Sequence, residues 1–398
     1  MTPGRVAIVT GTRPEIIKLR NICQALGPRG WVVHTSQHED PELAGVLFDE
    51  AGVRAARTLS SICGAPRHVQ VGRMIEQLGE VFRQARPAAV IVQGDTNTAL
   101  AGAHAANYAG APVIHVEAGL RSFDRAMPEE VNRCVVGVLA DVHCAPTPLA
   151  AQQLRAEGVA EDKIELTGNT IVEATLAMTP GSEDAAAIVR AAGAQPGGYV
   201  LATIHRPENT DEPARLKAIL DQLAGLGMPV LFPAHPRTRL AAQRHGLTAE
   251  LARLQVRSAV DHRTFLALAS LARLIVSDSG GVQEECTVLK RPLLVIRNST
   301  ERPESIAAGF ARLVRPGPLI GELGRAMIAD DTLDDRLAAI PCPYGDGTAS
   351  DRITAIAHRY LMPPAMPCGA SRIIGRPTGT VRRHLDARDA RDRTHLPR

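Results

Sequence analysis

The sequence predicts an α/β protein of two Rossmann-like domains, each a doubly wound parallel sheet, facing one another across a cleft. Three observations carry this. Stretches such as Arg5 to Thr10, Ala88 to Gln93 and Leu274 to Ser277 are short and almost continuously apolar, as strands covered on both faces are. Each gives way to a Gly-rich or polar turn and then to a helical stretch, and strands alternating with helices make a parallel sheet. The series lapses after residue 176 and restarts at Tyr199, and 398 residues suffice for two cores. The expected division is 1–176, 177–362 and a tail, 363–398.

The elements follow in order. Arg5 to Thr10 is the first strand, Gly11-Thr12-Arg13-Pro14-Glu15 a tight turn, and Ile16 to Leu26 a helix. Trp31 to Thr35 is a strand ending in Ser36-Gln37-His38, and Val69 to Ala85 is a helix. Ala88 to Gln93 ends in Gly94-Asp95-Thr96-Asn97-Thr98, with an Ala-rich helix behind it. Ala111 to Val116 runs into Glu117, Arg121, Asp124, Arg125, Glu129 and Glu130, and a helix opens at Pro128, a residue suited to a first helical turn. Charges crowded past a buried strand are costly unless they are paired or do chemistry. Lys163 to Thr167 is a strand ending in Gly168-Asn169-Thr170, and Ala177 to Gly198 reads as a partly helical hinge. In the second half, strands at Tyr199 to Ile204, Pro229 to Pro233, Leu274 to Ser277 and Pro292 to Ile296 each end in a polar turn. A terminal helix, Ser350 to Tyr360, is expected to cross back to the first domain.

Composition narrows the classes. Aromatics are 3% of the chain, so the core is built from Ala, Val, Leu and Ile. Seven cysteines without a CxxC pair argue against zinc and a disulfide framework and for a reducing, cytoplasmic setting. Met-Thr-Pro-Gly-Arg leads straight into a strand, so no secretory leader is expected, and no apolar run is long enough to span a bilayer. The tail carries eight Arg against three Asp, a local +5 that leaves about −2 on the remainder. It reads as a solvated, disordered end; with no aromatic residue for base stacking, it is not read as a nucleic-acid arm.

The chemically interesting residues fall just past the carboxyl ends of strands, the edge where open parallel sheets bind ligands. Asp95, Glu117 and Glu129 are candidate acid/base groups, because converging carboxyls drive one another's pKa values apart. Glu129 and Arg133 are four apart and share a helix face. The turn at Gly11 precedes a helix N-terminus with Arg13 and Lys18 nearby; it is either an anion site or an ordinary βα turn. Asp278-Ser279-Gly280-Gly281 precedes a second helix and suits a diphosphate, unless Ser279 is simply its N-cap. Glu285 then reaches a ribose diol; His205 with Arg206 stands at a strand end, either for a leaving phosphate or, for His205, as a satisfied core residue. No metal site and no cofactor are expected, since HExxH, DxD and histidine clusters are absent.

These motifs together, 11–18, 94–98, 115–133, 205–209, 278–285 and 300–304, resemble the non-hydrolysing UDP-N-acetylglucosamine 2-epimerases over roughly residues 5 to 360. The resemblance implies a glycosyltransferase-B-like fold and interconversion of UDP-GlcNAc and UDP-ManNAc without metal or nicotinamide. It implies loss of the C2 proton with departure of UDP, a 2-acetamidoglucal, then reprotonation on the other face and return of UDP. It assigns catalysis to Asp95, Glu117, Glu129 and His205. It assigns substrate binding to Arg13, Lys18, Gln37, His38, Arg133, Phe265, Ser279, Gly280, Gly281, Glu285 and Arg302, with Glu285 at the ribose and Phe265 at the uracil. It also implies a homodimer. Two departures leave an activating second UDP-GlcNAc site open: Ser36-Gln37-His38-Glu39 stands for Gly-Gln-His-Arg, and Pro207 for a second Arg. The alternatives are an epimerase of another UDP-HexNAc such as a 2,3-diacetamido-uronic acid, a hydrolysing relative, and a glycosyltransferase or sensor on the same fold. Gly-Thr-Arg-Pro-Glu speaks against hydrolysis.

Overall fold

Seven strands form the first sheet: β1 (Val6–Thr10), β2 (Gly30–His34), β3 (Ala55–Thr58), β4 (Ala89–Gln93), β5 (Val113–Val116), β6 (Val142–Ala145) and β7 (Ile164–Leu166). They lie in the order β3-β2-β1-β4-β5-β6-β7 and every pairing is parallel. The computed structural model describes residues 4–37, 48 and 51–361. Six strands form the second sheet: β8 (Val200–Thr203), β9 (Val230–Pro233), β10 (Gln255–Arg257), β11 (Leu274–Ser277), β12 (Leu293–Ile296) and β13 (Ala311–Val314). Their order, β10-β9-β8-β11-β12-β13, repeats the first and is again parallel throughout. Both are doubly wound sheets with a switch of strand order, at β1/β4 and at β8/β11, where a crevice opens beyond the strand ends.

Strands β1, β4, β5, β8, β11 and β12 are buried almost throughout, which explains their largely apolar runs, with His115 in β5 the internal exception. Two strands that the sequence pattern passes over, β3 and β10, are polar edges with exposed residues. A third, β6, hides His143 and Cys144 in the sheet. The fourth, β13, is buried at both ends and open at Arg312.

The stretch expected as a hinge holds the helix Ser182–Ala191, whose Val189 joins the core of the second half beside Tyr199 and Leu201. The helix Ala349–Arg359 inserts Ile353, Ile356 and Ala357 into the core of the first half, against Ile8, Leu19 and Ile22. No described helix is long and apolar enough to cross a membrane. The Arg-rich segment 363–398 and His38 lie outside the described residues.

Candidate active site

A cleft of about 530 Å³ lies beyond the strand ends of both sheets. Its lining includes Arg13, Lys18, Asp95, Glu117, Glu129 and Arg133 from the first half, and His205, Phe265, Ser279, Gly280, Gly281, Glu285 and Arg302 from the second. That volume lies in the usual range for small-molecule sites.

The floor is a buried charge network that joins the halves. Glu117 follows β5 in the left-handed region, at φ +65°, a strained setting for a residue with a Cβ. Its carboxylate is held by three donors: Lys18 Nζ at 2.5 Å, Gln93 Nε2 at 2.6 Å and Arg302 Nη2 at 3.0 Å. Lys18 Nζ also donates to Glu284 Oε2 at 3.0 Å, and Arg302 Nε to Glu284 Oε1 at 2.8 Å. Arg302 Nη1 pairs with Glu301, which in turn takes Arg297 Nη2 at 2.8 Å. Burial works against the Lys18 charge, but Glu117 and Glu284 outweigh it and hold its pKa above the ordinary lysine range. Burial likewise opposes Arg302, and Glu284, Glu301 and Glu117 drive it upward.

Asp95 and Glu129 line the cleft from the first half. Asp95 pairs with Arg133, and Asn132 Nδ2 donates to its backbone carbonyl at 2.8 Å. Arg133 does not turn to Glu129, its neighbour by helical spacing. It binds Glu130 with Nε at 2.9 Å and Nη2 at 2.6 Å, and Glu130 also accepts from the Ser122 and Phe123 amides at 2.9 Å each. Glu129 instead meets Arg67 at 3.3 Å, with both side chains well exposed. The crowd of charges after β5 is thus largely paired: Arg121 adds a two-point contact with Glu157, both distances 2.6 Å.

The cleft holds two helix N-termini of opposite state. At the first, helix Arg13–Leu26, the amides of Gly11 and Thr12 donate to Glu15 Oε2 at 2.8 and 2.7 Å. Thr96 Oγ1 reaches Glu15 Oε1 at 2.5 Å. The Glu15 carboxylate therefore caps the Gly11 and Thr12 amides, the reach-back half of a capping box. A Cβ on Gly11 would lie 2.0 Å from Thr98 Oγ1, so only glycine fits there. At the second, helix Gly280–Leu289, Ser279 is the N-cap residue but its side chain makes no capping bond. That end lines the cleft with its first amides uncapped.

Around the open terminus, Asp278 is fully buried and accepts from the His205 amide at 3.0 Å, the Arg206 amide at 2.9 Å and Asn209 Nδ2 at 3.0 Å. His205 Nδ1 lies 3.2 Å from Asp278 Oδ1, which leaves Nε2 for a ligand. The rings of His205 and His235 are 5.5 Å apart. Burial, with His205 and Arg237 nearby, pulls the His235 pKa down. Glu285 Oε1 pairs with His262 Nε2 at 2.8 Å. Phe265 packs on the second core while lining the cleft. A Cβ on Gly280 would stand 2.7 Å from Arg302 Nη1, so glycine makes room for the guanidinium.

Gln37 is placed differently. It is buried, its Oε1 accepts from the Thr98 amide at 2.8 Å and hydroxyl at 2.9 Å, and it is not among the cleft's lining residues. Sequence reasoning passed over Glu15, Asp278, His262, Glu284 and Glu301. Asp278, Glu284 and Glu301 adjoin Ser279, Glu285 and Arg302 in sequence, but only the fold shows which partner each one meets.

A paired-sheet cleft with an open helix terminus on one side and carboxylates on the other defines an enzyme of the nucleotide-sugar class on a glycosyltransferase-B-like fold. Residues 28–358 match the model of the UDP-N-acetylglucosamine 2-epimerase family. A UDP-N-acetylglucosamine 2-epimerase of Methanocaldococcus jannaschii is 36% identical over 366 residues, covering 88% of this chain and 98% of its own. A UDP-2,3-diacetamido-2,3-dideoxy-D-glucuronate 2-epimerase of Pseudomonas aeruginosa is 33% identical over 359 residues, 88% of this chain and 98% of its own. The crystal structure of the M. jannaschii UDP-GlcNAc 2-epimerase in complex with UDP-GlcNAc and UDP matches with TM-score 0.82 at 35% identity, over 89% of this chain and 99% of that one. The chain belongs to the UDP-N-acetylglucosamine 2-epimerase family, and it is an epimerase, an isomerase by class.

Proposed function

We propose that the protein interconverts UDP-GlcNAc and UDP-ManNAc by eliminating UDP and adding it back through 2-acetamidoglucal. The observation that carries this is the opposition, across one cleft, of Asp95, Glu117 and Glu129 to His205 and the uncapped amides of Gly280 and Gly281. A carboxylate of the first half takes the C2 proton, the C–H pair becomes the C1=C2 bond, and the C1–O pair leaves with the diphosphate. The negative charge of UDP grows by one as that bond breaks. The open helix end, Arg13, His205 and the unused N–H groups of Lys18 and Arg302 receive it. A second carboxyl protonates C2 from the opposite face, and the diphosphate oxygen returns to C1. Asp95 and Glu129 serve as the acid/base pair, with Glu117 held by Lys18 and Arg302 in the floor of the cleft. Glu285, held by His262, takes the ribose diol, and Phe265 stands beside the uracil.

Incubation in deuterated water tests this. Deuterium should enter C2 of the UDP-sugar with no net loss of UDP-sugar. Absence of label in every UDP-HexNAc tried would refute the reading, and free sugar with UDP would mark hydrolysis instead. A 2,3-diacetamido-uronic substrate is the second reading, favoured by the 33% identity to the Pseudomonas enzyme; label confined to that sugar would select it.

The working form is a cytoplasmic homodimer. Free thiols at exposed Cys63 and Cys134 suit a reducing compartment. Support for self-association comes from helix Pro128–Leu139, which exposes Val131 and Val138 in a stripe with Cys134, next to Tyr108 on the adjoining helix.

A further inference from the structure

We propose that Glu284 is a positioning residue for the departure of UDP, acting through Lys18 and Arg302 without touching the substrate. The proposal rests on the epimerase reading above.

Glu284 is completely buried and is not among the residues lining the cleft. Its two oxygens take three donors, Lys18 Nζ at 3.0 Å, Asn169 Nδ2 at 3.0 Å and Arg302 Nε at 2.8 Å. Lys18 and Asn169 belong to the first half, whereas Glu284 and Arg302 belong to the second. One carboxylate thus holds both halves and both floor cations. Its helix starts at Gly280, so it is fixed to the element whose open end faces the diphosphate.

The donor inventory shows what this arrangement achieves. Lys18 has three N–H groups, of which Glu117 and Glu284 take two. Arg302 has five, and Glu284, Glu301 and Glu117 take three. The remaining three are aimed by the bonds already made, and both cations line the cleft. Glutamine at 284 keeps the volume but turns an N–H either toward Lys18, losing one bond, or toward Arg302 and Asn169, losing two, so a floor cation loses its aim.

Charge on the diphosphate rises only as the C1–O bond breaks. Misaimed donors should therefore slow turnover more than they weaken ground-state binding. Removing one preorganised donor of this kind typically costs about a hundredfold or more in kcat. Glu284→Gln is expected to lower kcat for C2 exchange in deuterated water by about a hundredfold. KM for UDP-GlcNAc should stay within about threefold of wild type, whereas free UDP, which carries the charge that appears as the bond breaks, should bind more weakly. Rates are expressed per UDP-binding site, counted by calorimetry, so that misfolded protein does not enter. Glu284→Asp, which retains the charge, should recover at least tenfold of the loss. A kcat within about threefold of wild type, a loss carried by KM alone, or an aspartate no better than the glutamine would overturn the proposal. If Glu284→Gln yields no UDP-binding protein, Asn169→Ser removes one of the three bonds: kcat should fall about fivefold at unchanged KM, and an unchanged kcat overturns the proposal. Wild-type protein that exchanges no deuterium would refute the function reading itself, a failure distinct from any of these.

Discussion

Replacing Glu15 by glutamine isolates the cost of keeping a carboxyl buried at the edge of the cleft. Burial lifts the Glu15 pKa to about 7, against the lowering effect of hydrogen bonds from Thr96, Gly11 and Thr12. In the unfolded chain the ordinary value of 4.5 returns. A carboxyl raised in this way binds its proton more tightly when folded. Its stabilising contribution is therefore complete below pH 4.5 and is lost as the pH rises through about 7. At about 1.4 kcal/mol for each unit, the full window is worth about 3 kcal/mol. Glutamine fills the same space and does not titrate: its carbonyl accepts from Gly11 and Thr12, and its amide donates to Thr96. Relative to wild type, Glu15→Gln should gain about 2 to 3 kcal/mol between about pH 5 and about pH 8.5. For a folded unit of this size that is roughly 3 to 4 °C in Tm. Thermal or urea melts of both proteins at the two pH values measure it. A difference between variant and wild type that stays flat across that range would refute the reasoning.

Other outcomes follow from the same structure. His34, His115 and His143 are buried and, mainly by burial, have pKa values pulled down to about 4, 3 and 4. Their stabilisation is whole above pH 6.5 and fades as the pH falls toward 4, by about 2 kcal/mol each at about pH 5; melting temperature should fall over that interval, and His115→Gln should blunt the fall by about a third. Asp95→Asn is expected to slow deuterium entry at C2 by about a hundredfold to ten-thousandfold while cooperative melting persists; near-normal rates would remove Asp95 from the mechanism. Gly280→Ala sets a methyl 2.7 Å from Arg302 Nη1 and should weaken UDP binding about tenfold by calorimetry. Val138→Glu buries a charge in the proposed subunit contact, and sedimentation should then report monomers where wild type gives dimers.

The fold class was legible because strands covered on both faces leave a plain signature. The segments around β1, β4, β11 and β12 are apolar runs with turns behind them, and their ends fall within a residue or so of the pattern. The edges β3 and β10 carry no such signature, because one side of an edge strand is wet. In the site, the strand-end rule pointed to Asp95, Glu117, His205 and Ser279, all of which line the cleft. Pairing was beyond its reach. Arg133 has carboxylates three and four residues away, and only the fold, which also brings Asp95 to it, selects Glu130. Glu284 and Glu285 are adjacent in sequence, yet about 100° of helical rotation sends one to Lys18 in the first half and the other to His262 and the cleft.

Glu15 has a consequence for direction. The two halves repeat one strand order, so on topology alone a bound molecule has two equivalent orientations. The Glu15 carboxylate breaks that symmetry by already sitting on the amides at one end. A phosphate arriving there meets a resident acid, whereas at Gly280 it meets bare N–H groups. In the proposed mode of binding, that difference places the diphosphate at the Gly280 end and the hexose on the side of Asp95.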